Sequence, residues 1–416
     1  MKTVYVIGSY STQFKKWPEL THKKLVRDAY LNVLKDAGME NGYDIDSAWF
    51  GNSFMGSWGQ SLIRGQVCLT PLIREGLFPD RIPIVNVEGA CATASIAFQG
   101  AWKDILSGQC QVSLALGVDK IFIPDDREKT FKQYEEGIDQ FDREEWLKVY
   151  RKAGELCGHP FQTGPDRTMF MDTYAMQALY HMWKFGTTQR QIAIGASKNH
   201  FCGSLNPKAQ YQFEVSVEQV LEDRMVSYPL TRSMCAPIGD GAAAAVLCSE
   251  DYFNNLPSKV KHRAVKISAC VLTSGKYRDF DEPGLSKIAA DKAYDMAGIG
   301  PEEIDVAELH DATSFCEIYQ SEMMGFCPIG EGGRFVESGE TMLEGKLPIN
   351  TSGGLISKGH PVGATGLSMI YELITQLRWE AGPRQVKNAE FALQENGGGV
   401  IGFEEAACSI VILQKI

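Results

Sequence analysis

A cysteine at the start of a predicted helix is the first residue here that could do covalent chemistry. Cys91 stands in Val85-Asn86-Val87-Glu88-Gly89-Ala90-Cys91-Ala92-Thr93-Ala94-Ser95. A buried apolar strand runs into a turn of small residues, and a helix is expected from about Ala92. The free amides and positive dipole end of that helix favour a thiolate, by about a unit or more of pKa. Small neighbours leave room for a carbonyl carbon to reach the sulfur. The chain has ten further cysteines, and no two form a C-x-x-C pair. Neither a disulfide scaffold nor a zinc ribbon is therefore expected, and most cysteines read as small buried apolar residues.

Three other places could serve such a nucleophile. His360 lies in Ser352-Gly353-Gly354-Leu355-Ile356-Ser357-Lys358-Gly359-His360-Pro361-Val362-Gly363-Ala364-Thr365-Gly366, where five glycines let backbone approach a ligand closely. Held between Gly359 and Pro361 on a rigid turn, its imidazole suits general-base work. His310-Asp311 ends the apolar run Ile304 to Leu309, where open α/β sheets bind ligands and a histidine could donate to an oxyanion. Glu395-Asn396-Gly397-Gly398-Gly399-Val400-Ile401-Gly402 formally contains G-x-G-x-x-G. No following helix, strand and acidic residue complete a dinucleotide site before Ile416, so that reading is rejected. A tight glycine turn between two strands fits better, with an amide such as that of Gly397 offered to an oxyanion. Glu395 and Asn396 are expected to face the same cavity. Taken singly, His360 is an ordinary loop histidine, and His310 a strand-end histidine capped by Asp311.

The elements that must position these residues repeat along the chain at an offset near 260. Val4-Tyr5-Val6 answers Val265-Lys266-Ile267. Asp36-Ala37-Gly38 answers Met296-Ala297-Gly298, Ile45-Asp46-Ser47-Ala48 answers Ile304-Asp305-Val306-Ala307, and Pro83-Ile84-Val85-Asn86 answers Pro348-Ile349-Asn350. The halves close on Gly241 to Leu247 and Glu405 to Val411. Each half alternates strands and helices, with Gly38 and Gly298 as helix C-terminal glycines, which predicts α/β halves on a mainly parallel sheet. Between them, roughly residues 120–237 do not repeat. Asp125 to Arg151 is dense in charge and reads as a solvated excursion, whereas Met169 to Phe185 carries core-type residues at helical spacing. Such an insertion commonly covers an active site. The expected division is 1–119 and 238–260 for the first half, 120–237 for the insertion and 261–416 for the second half.

Composition narrows the function further. With 41 Lys and Arg against 52 Asp and Glu, the net charge of −11 argues against a nucleic-acid partner. No apolar run approaches the ~20 residues of a membrane span. The first residues read as a strand rather than a signal peptide, and the last carry no lipid or peroxisomal address, so a soluble, cytoplasmic protein is expected.

Together these motifs resemble the thiolase superfamily over essentially the whole chain. The Asn350 to Gly366 segment is a very specific match. Three segments resemble the branch that holds sterol-carrier-protein-type and archaeal acetoacetyl-CoA thiolases: His310-Asp311, Tyr174 to Pro207, and Pro229 to Ala244. The pattern is also similar to benzoylsuccinyl-CoA thiolase catalytic subunits. The resemblance implies two βαβαβαββ halves in five layers with an inserted loop domain. It implies a Cys91 that becomes acylated, a His360 that activates it, and His310 with His360 on one thioester oxygen. The amides of Cys91 and Gly397 are implied as a second oxyanion hole. Coenzyme A would be co-substrate, with no permanently bound cofactor and no metal. A homodimer or dimer of dimers is implied, and a small zinc-containing OB-fold subunit is a further partner that the resemblance allows.

One departure matters. Ordinary thiolases place a second cysteine just before the glycine turn, where Glu395 stands, and the sterol-carrier branch can place one after His-Asp, where Ala312 stands. Glu395 could replace that acid/base if burial raises its pKa, or it could only brace the loop. Cys316 is expected to face away down a helix, and Cys408 to be core. The expected reaction is degradative cleavage of a 3-ketoacyl-CoA with a branched or aromatic acyl chain. The alternatives are a biosynthetic acetoacetyl-CoA thiolase and a thiolase-fold aldolase that never acylates a cysteine.

Overall fold

The computed structural model describes residues 2–416. Its strands are β1 (Val4–Ser11), β2 (Ser47–Gly51), β3 (Ile84–Val87), β4 (Val112–Asp119), β5 (Met225–Ser227), β6 (Leu230–Thr231), β7 (Gly241–Ser249), β8 (Val265–Ser274), β9 (Val306–Glu308), β10 (Phe391–Gly398) and β11 (Ala407–Lys415). Apart from the small β5·β6 pair, they form one sheet in the order β3-β2-β4-β7-β1-β8-β11-β10-β9.

The repeat in the sequence is a repeat of topology about the β1·β8 seam, where Val6 faces Val265 and Tyr5 faces Lys266. Outward from the seam the first half runs β1, β7, β4, β2, β3. The second runs β8, β11, β10, β9 and then Ile349, bridged in parallel to Ala307. Strand direction corrects the expectation of a mainly parallel sheet. Only β2·β3, β2·β4 and β9·β10 are parallel, while β1·β7, β4·β7, β1·β8, β8·β11 and β10·β11 are antiparallel. Buried strands read as apolar runs in either direction, so the pattern does not disclose which way β7 and β11 run.

Three apolar clusters build five layers. The Thr93–Ser107 and Thr365–Leu377 helices lie between the two half-sheets, burying Ala94, Phe98 and Trp102 from one and Leu367, Ile370 and Leu373 from the other. Helices covered on every side need this near-continuous apolar content. Truncating Ile370 or Leu373 to alanine would cost about 2–5 kcal/mol. The His22–Asp36 and Arg64–Arg74 helices cover the outer face of the first half-sheet. Leu285–Ala297 and the end of Ser314–Met323 cover the second.

The connection from β4 to β7 is long and mostly helical. Its main helices are Arg143–Cys157, Met169–Phe185 and Gln189–Ser204. The charged stretch is only partly a solvated face. Arg143–Cys157 exposes Glu144 and Glu145 but buries Trp146 and Tyr150 in a cluster that includes Val400 and Phe403 of the glycine turn. Among the described residues no helix is long and apolar enough to cross a membrane.

Candidate active site

Cys91 sits at the junction of β3 and the Thr93–Ser107 helix, in a short 3-10 turn of Ala90–Ala92. Ala90 has φ 49°, a left-handed conformation that L-residues other than Asn and Asp seldom adopt, and it keeps the turn sharp. His360 Nε2 lies 3.2 Å from Cys91 Sγ, although the two residues are 269 positions apart in the chain. Gly359, at φ 109°, makes the bend that delivers the imidazole. The His310 ring stands 5.1 Å from that of His360 and nearly perpendicular to it. The sulfur and a nitrogen of each histidine all fall within 4.8 Å of one another. His310 Nε2 is buried and has no hydrogen-bond partner in the protein. An unpaired buried polar atom is costly, and a substrate oxygen would relieve that cost.

Burial sets the protonation states. It pushes the Cys91 thiol up to about 12, with Asp119 adding to the rise, against the N–H groups of Gly399 and Cys91 itself. The expectation of a lowered thiol pKa is therefore corrected: in the unliganded protein, loss of water outweighs the helix terminus. Burial also lowers His310 to about 3 and holds His360 well below the ordinary imidazole value, helped by His310 and Lys358. The resting site holds a neutral thiol against neutral imidazoles.

The glycine turn brings the amide of Gly399 toward the Cys91 sulfur, where it favours the thiolate. Gly397 is the last residue but one of β10, paired with Cys408 of β11. A Cβ on Gly398 would lie 2.3 Å from Gly89 O and 2.4 Å from Ala92 N, so glycine is what lets the turn seat against Cys91. Val400 N donates to Gly137 O at 2.9 Å, clamping the turn to the β4–β7 connection.

Glu395 and Asn396 do not line the cavity over Cys91. Side chains alternate along β10. Gln394 and Asn396 meet Ser95 of the central helix, at 2.8 and 2.7 Å, which sends Glu395 to the other face of the sheet. There Glu395 is fully buried, accepts from His310 N at 3.0 Å and lies 3.7 Å from Cys408 Sγ. Burial, with Glu405 beside it, raises its pKa to about 8. The expected rise is present, but the geometry braces the main chain of His310. Asp311 likewise does not cap its neighbour. It accepts from Leu355 N at 2.6 Å and Asn199 Nδ2 at 2.8 Å, tying the histidine strand to the His360 loop and the β4–β7 connection. Cys316 lies on the Ser314–Met323 helix near Thr313, outside the Cys91 cluster, and Cys408 is in the outer core.

Above Cys91 and His360 opens a cavity of about 630 Å³, roofed mainly by the β4–β7 connection. Phe54, Tyr134, Phe170 and Tyr174 form a chain of ring contacts with centroid spacings of 5.1, 6.4 and 6.2 Å. Ala312 lines the cavity where a second cysteine is absent. Lys16, Arg127, Arg167, Arg224 and Arg232 also line it, alongside Asp125, Asp126 and Asp166. Of these lining residues, Phe170 and Tyr174 fall in the Met169 to Phe185 stretch that reads as core, and Arg127 and Tyr134 in the charged stretch that reads as solvated; the other cationic residues carry no local signal. Asp119 was missed too. At the end of β4 it accepts from Gly363 N at 2.6 Å and Phe54 N at 3.0 Å, locking the His360 loop onto the first half. Only its place after a buried strand hinted at it.

A duplicated five-layer α/β fold with its cysteine and two histidines at one point defines a class before any comparison. Residues 4–135 match the thiolase N-terminal domain, and residues 276–414 match the thiolase C-terminal domain-like family. The acetyl-CoA acetyltransferase of Methanothermobacter thermautotrophicus is 35% identical over 97% of this chain and 98% of its own. Sterol carrier protein 2 of Homo sapiens is 36% identical over 98% of this chain and 74% of its own. The benzoylsuccinyl-CoA thiolase subunit BbsB of Thauera aromatica is 30% identical over 93% of this chain and 92% of its own. Among solved structures, the Ltp2-ChsH2(DUF35) aldolase aligns with a TM-score of 0.78 at 20% identity, over 100% of this chain and 98% of that one. Human mitochondrial 3-ketoacyl-CoA thiolase aligns at 0.68 and 17%, over 100% and 99%; at such identities the likeness is one of fold. The chain belongs to the thiolase family, and so to the acyltransferases that use coenzyme A as co-substrate.

Proposed function

We propose that this protein cleaves a 3-ketoacyl-CoA with coenzyme A through an acyl-Cys91 intermediate, in the degradative direction, on a ring-bearing or branched acyl chain. The observation that carries the reading is the 3.2 Å approach of His360 Nε2 to Cys91 Sγ on the floor of the cavity. As Sγ attacks the 3-keto carbon, its proton passes to Nε2. The bond between C2 and C3 then breaks, leaving the enolate of acetyl-CoA. The enolate oxygen accepts from His310 and His360, and C2 takes the proton back from His360. Incoming coenzyme A gives its thiol proton to Nε2 while its sulfur attacks the acyl carbonyl, whose oxygen meets the amides of Cys91 and Gly399. Cys91 leaves and is reprotonated. With Ala312 and a turned-away Glu395, one imidazole performs every proton transfer.

The aromatic side chains of Tyr134, Phe170 and Tyr174 that line the cavity favour a ring on the acyl group. The cationic side chains suit the phosphates of coenzyme A. A homodimer is part of the proposal. β3 ends the sheet with its outer edge unpaired and all four residues half-buried, next to the exposed Leu62 and Ile63. So is a small second subunit, since BbsB is named as a subunit and the aldolase neighbour carries a DUF35 chain. The absence of a second cysteine and the fit to that aldolase also support a second reading, retro-aldol cleavage of an acyl-CoA side chain without acylation.

Intact-protein mass after mixing with acyl-CoA donors decides between them. An adduct that is lost in Cys91→Ala supports the thiolase, and its mass reports the acyl group. No adduct, with carbon–carbon cleavage surviving in Cys91→Ala, overturns it in favour of the aldolase.

A further inference from the structure

The far side of the His360 ring meets a single hydroxyl. Thr365 Oγ1 lies 2.7 Å from Nδ1, and the same hydroxyl donates to the Pro361 carbonyl at 3.0 Å. Local structure dictates this arrangement. Thr365 opens the Thr365–Leu377 helix four residues after Pro361, whose carbonyl also takes Ala364 N–H at 2.8 Å. A hydroxyl has one proton, and a carbonyl can only accept. When the Thr365 proton lies on the Pro361 carbonyl, a lone pair of Oγ1 faces the ring, and the ring nitrogen opposite that lone pair carries a hydrogen. Thr365 is fully buried and His360 is 6% exposed, so the arrangement is built into the interior.

We propose that Thr365 is a positioning residue that selects the His360 tautomer, with the proton on Nδ1 and a bare Nε2 facing Cys91. The inference rests on the acyl-Cys91 reading and assigns the direction of its first proton transfer. The S–H bond breaks, an Nε2–H bond forms, and the sulfur electron pair goes to the substrate carbonyl carbon. Nδ1 keeps its hydrogen throughout, and Thr365 neither gains nor loses one. The other tautomer would aim an N–H at the sulfur and leave the nucleophile without a base. Unlike a carboxylate partner, the hydroxyl brings no negative charge to hold the imidazolium. Nε2 therefore gives the proton back readily, as a site with one acid/base requires.

Nitrogen-15 NMR of histidine-labelled protein reads the tautomer, with His360 assigned by its absence in His360→Gln. The expected wild-type signals are a protonated Nδ1 and an unprotonated Nε2. Thr365→Val, close in shape but without a lone pair, should shift Nε2 toward the protonated position, while Thr365→Ser should match wild type. In parallel, the rate of Cys91 alkylation by iodoacetamide at neutral pH should fall on the order of 10- to 100-fold in Thr365→Val and recover to within about 3-fold in Thr365→Ser. A protonated Nε2 in wild type, or a Thr365→Val protein with wild-type tautomer and alkylation rate, overturns the proposal. If Thr365→Val fails to fold, the wild-type and Thr365→Ser spectra decide. Neither readout uses an acyl donor, so failure of the thiolase reading would appear separately, as a Cys91 that is never acylated while the tautomer stays as assigned.

Discussion

The two halves share a strand order and a set of strand directions, yet they divide the site unequally. Each sends a helix into the central layer, Thr93–Ser107 from the first and Thr365–Leu377 from the second. The turn before the first helix carries Cys91, and the turn before the second carries His360. The clearest divergence is the connection into the strand beside each half's seam strand. From β4 to β7 it spans residues 120–240 and roofs a cavity, while from β10 to β11 it is a turn of residues 399–406 that presents one amide. Duplication thus supplied a frame that brings two helix entrances together, and chemistry came from what each copy placed there. The long connection can take on binding because the sheet is complete without it.

If nucleophile and base really come from opposite halves, removing either should stop the same step. Cys91→Ala should abolish the acyl adduct, and His360→Ala should slow its formation about 10²- to 10⁴-fold with the fold intact, both read by intact mass. Normal acylation in His360→Ala would break the pairing. Next in size is His310, the second half's other contribution. His310→Ala should lower kcat about 10²- to 10³-fold with KM little changed. A change confined to KM would make it a binding residue.

The short connection can be tested against the long one. Gly398→Ala should cost about 1–3 kcal/mol in denaturant unfolding and slow acylation further by displacing the Gly399 amide, because the two nearest atoms met by the new methyl are backbone. An unchanged acylation rate would separate the turn from the oxyanion. The smallest effect on turnover belongs to Glu395→Gln, which keeps an oxygen for His310 N–H. Activity within a few-fold of wild type is expected, and a loss like that of His360→Ala would restore Glu395 as an acid/base. Stability is the more sensitive readout. A carboxyl raised from 4.5 to about 8 by burial and by Glu405 folds best when protonated. Wild-type stability should therefore fall as pH rises through that window and level off above it. Glu395→Gln should flatten the fall by on the order of 1–3 kcal/mol between pH 5 and 8.5 in urea titrations. Part of the slope should persist, since Glu405 is raised too.

From the amino-acid order alone one reads what neighbours in the chain decide. Cys91 among small residues before a helix, His360 between Gly359 and Pro361, His310 at a strand end and the glycine hairpin after Glu395 are all local patterns. The repeat is legible because equivalent elements keep equivalent order. Other features depend on atoms far apart in the chain, and only the folded molecule decides them. Strand pairing set the direction of β7 and β11. The alternating faces of β10 separated Glu395 from Asn396, but which face met Ser95 was settled by packing. The register of the turn brought the Gly399 amide to the Cys91 sulfur. Enclosure by both halves pushed the Cys91 thiol up, where its helix terminus by itself would have drawn it down. Burial and pairing are sums over such distant neighbours, so no window of sequence contains them.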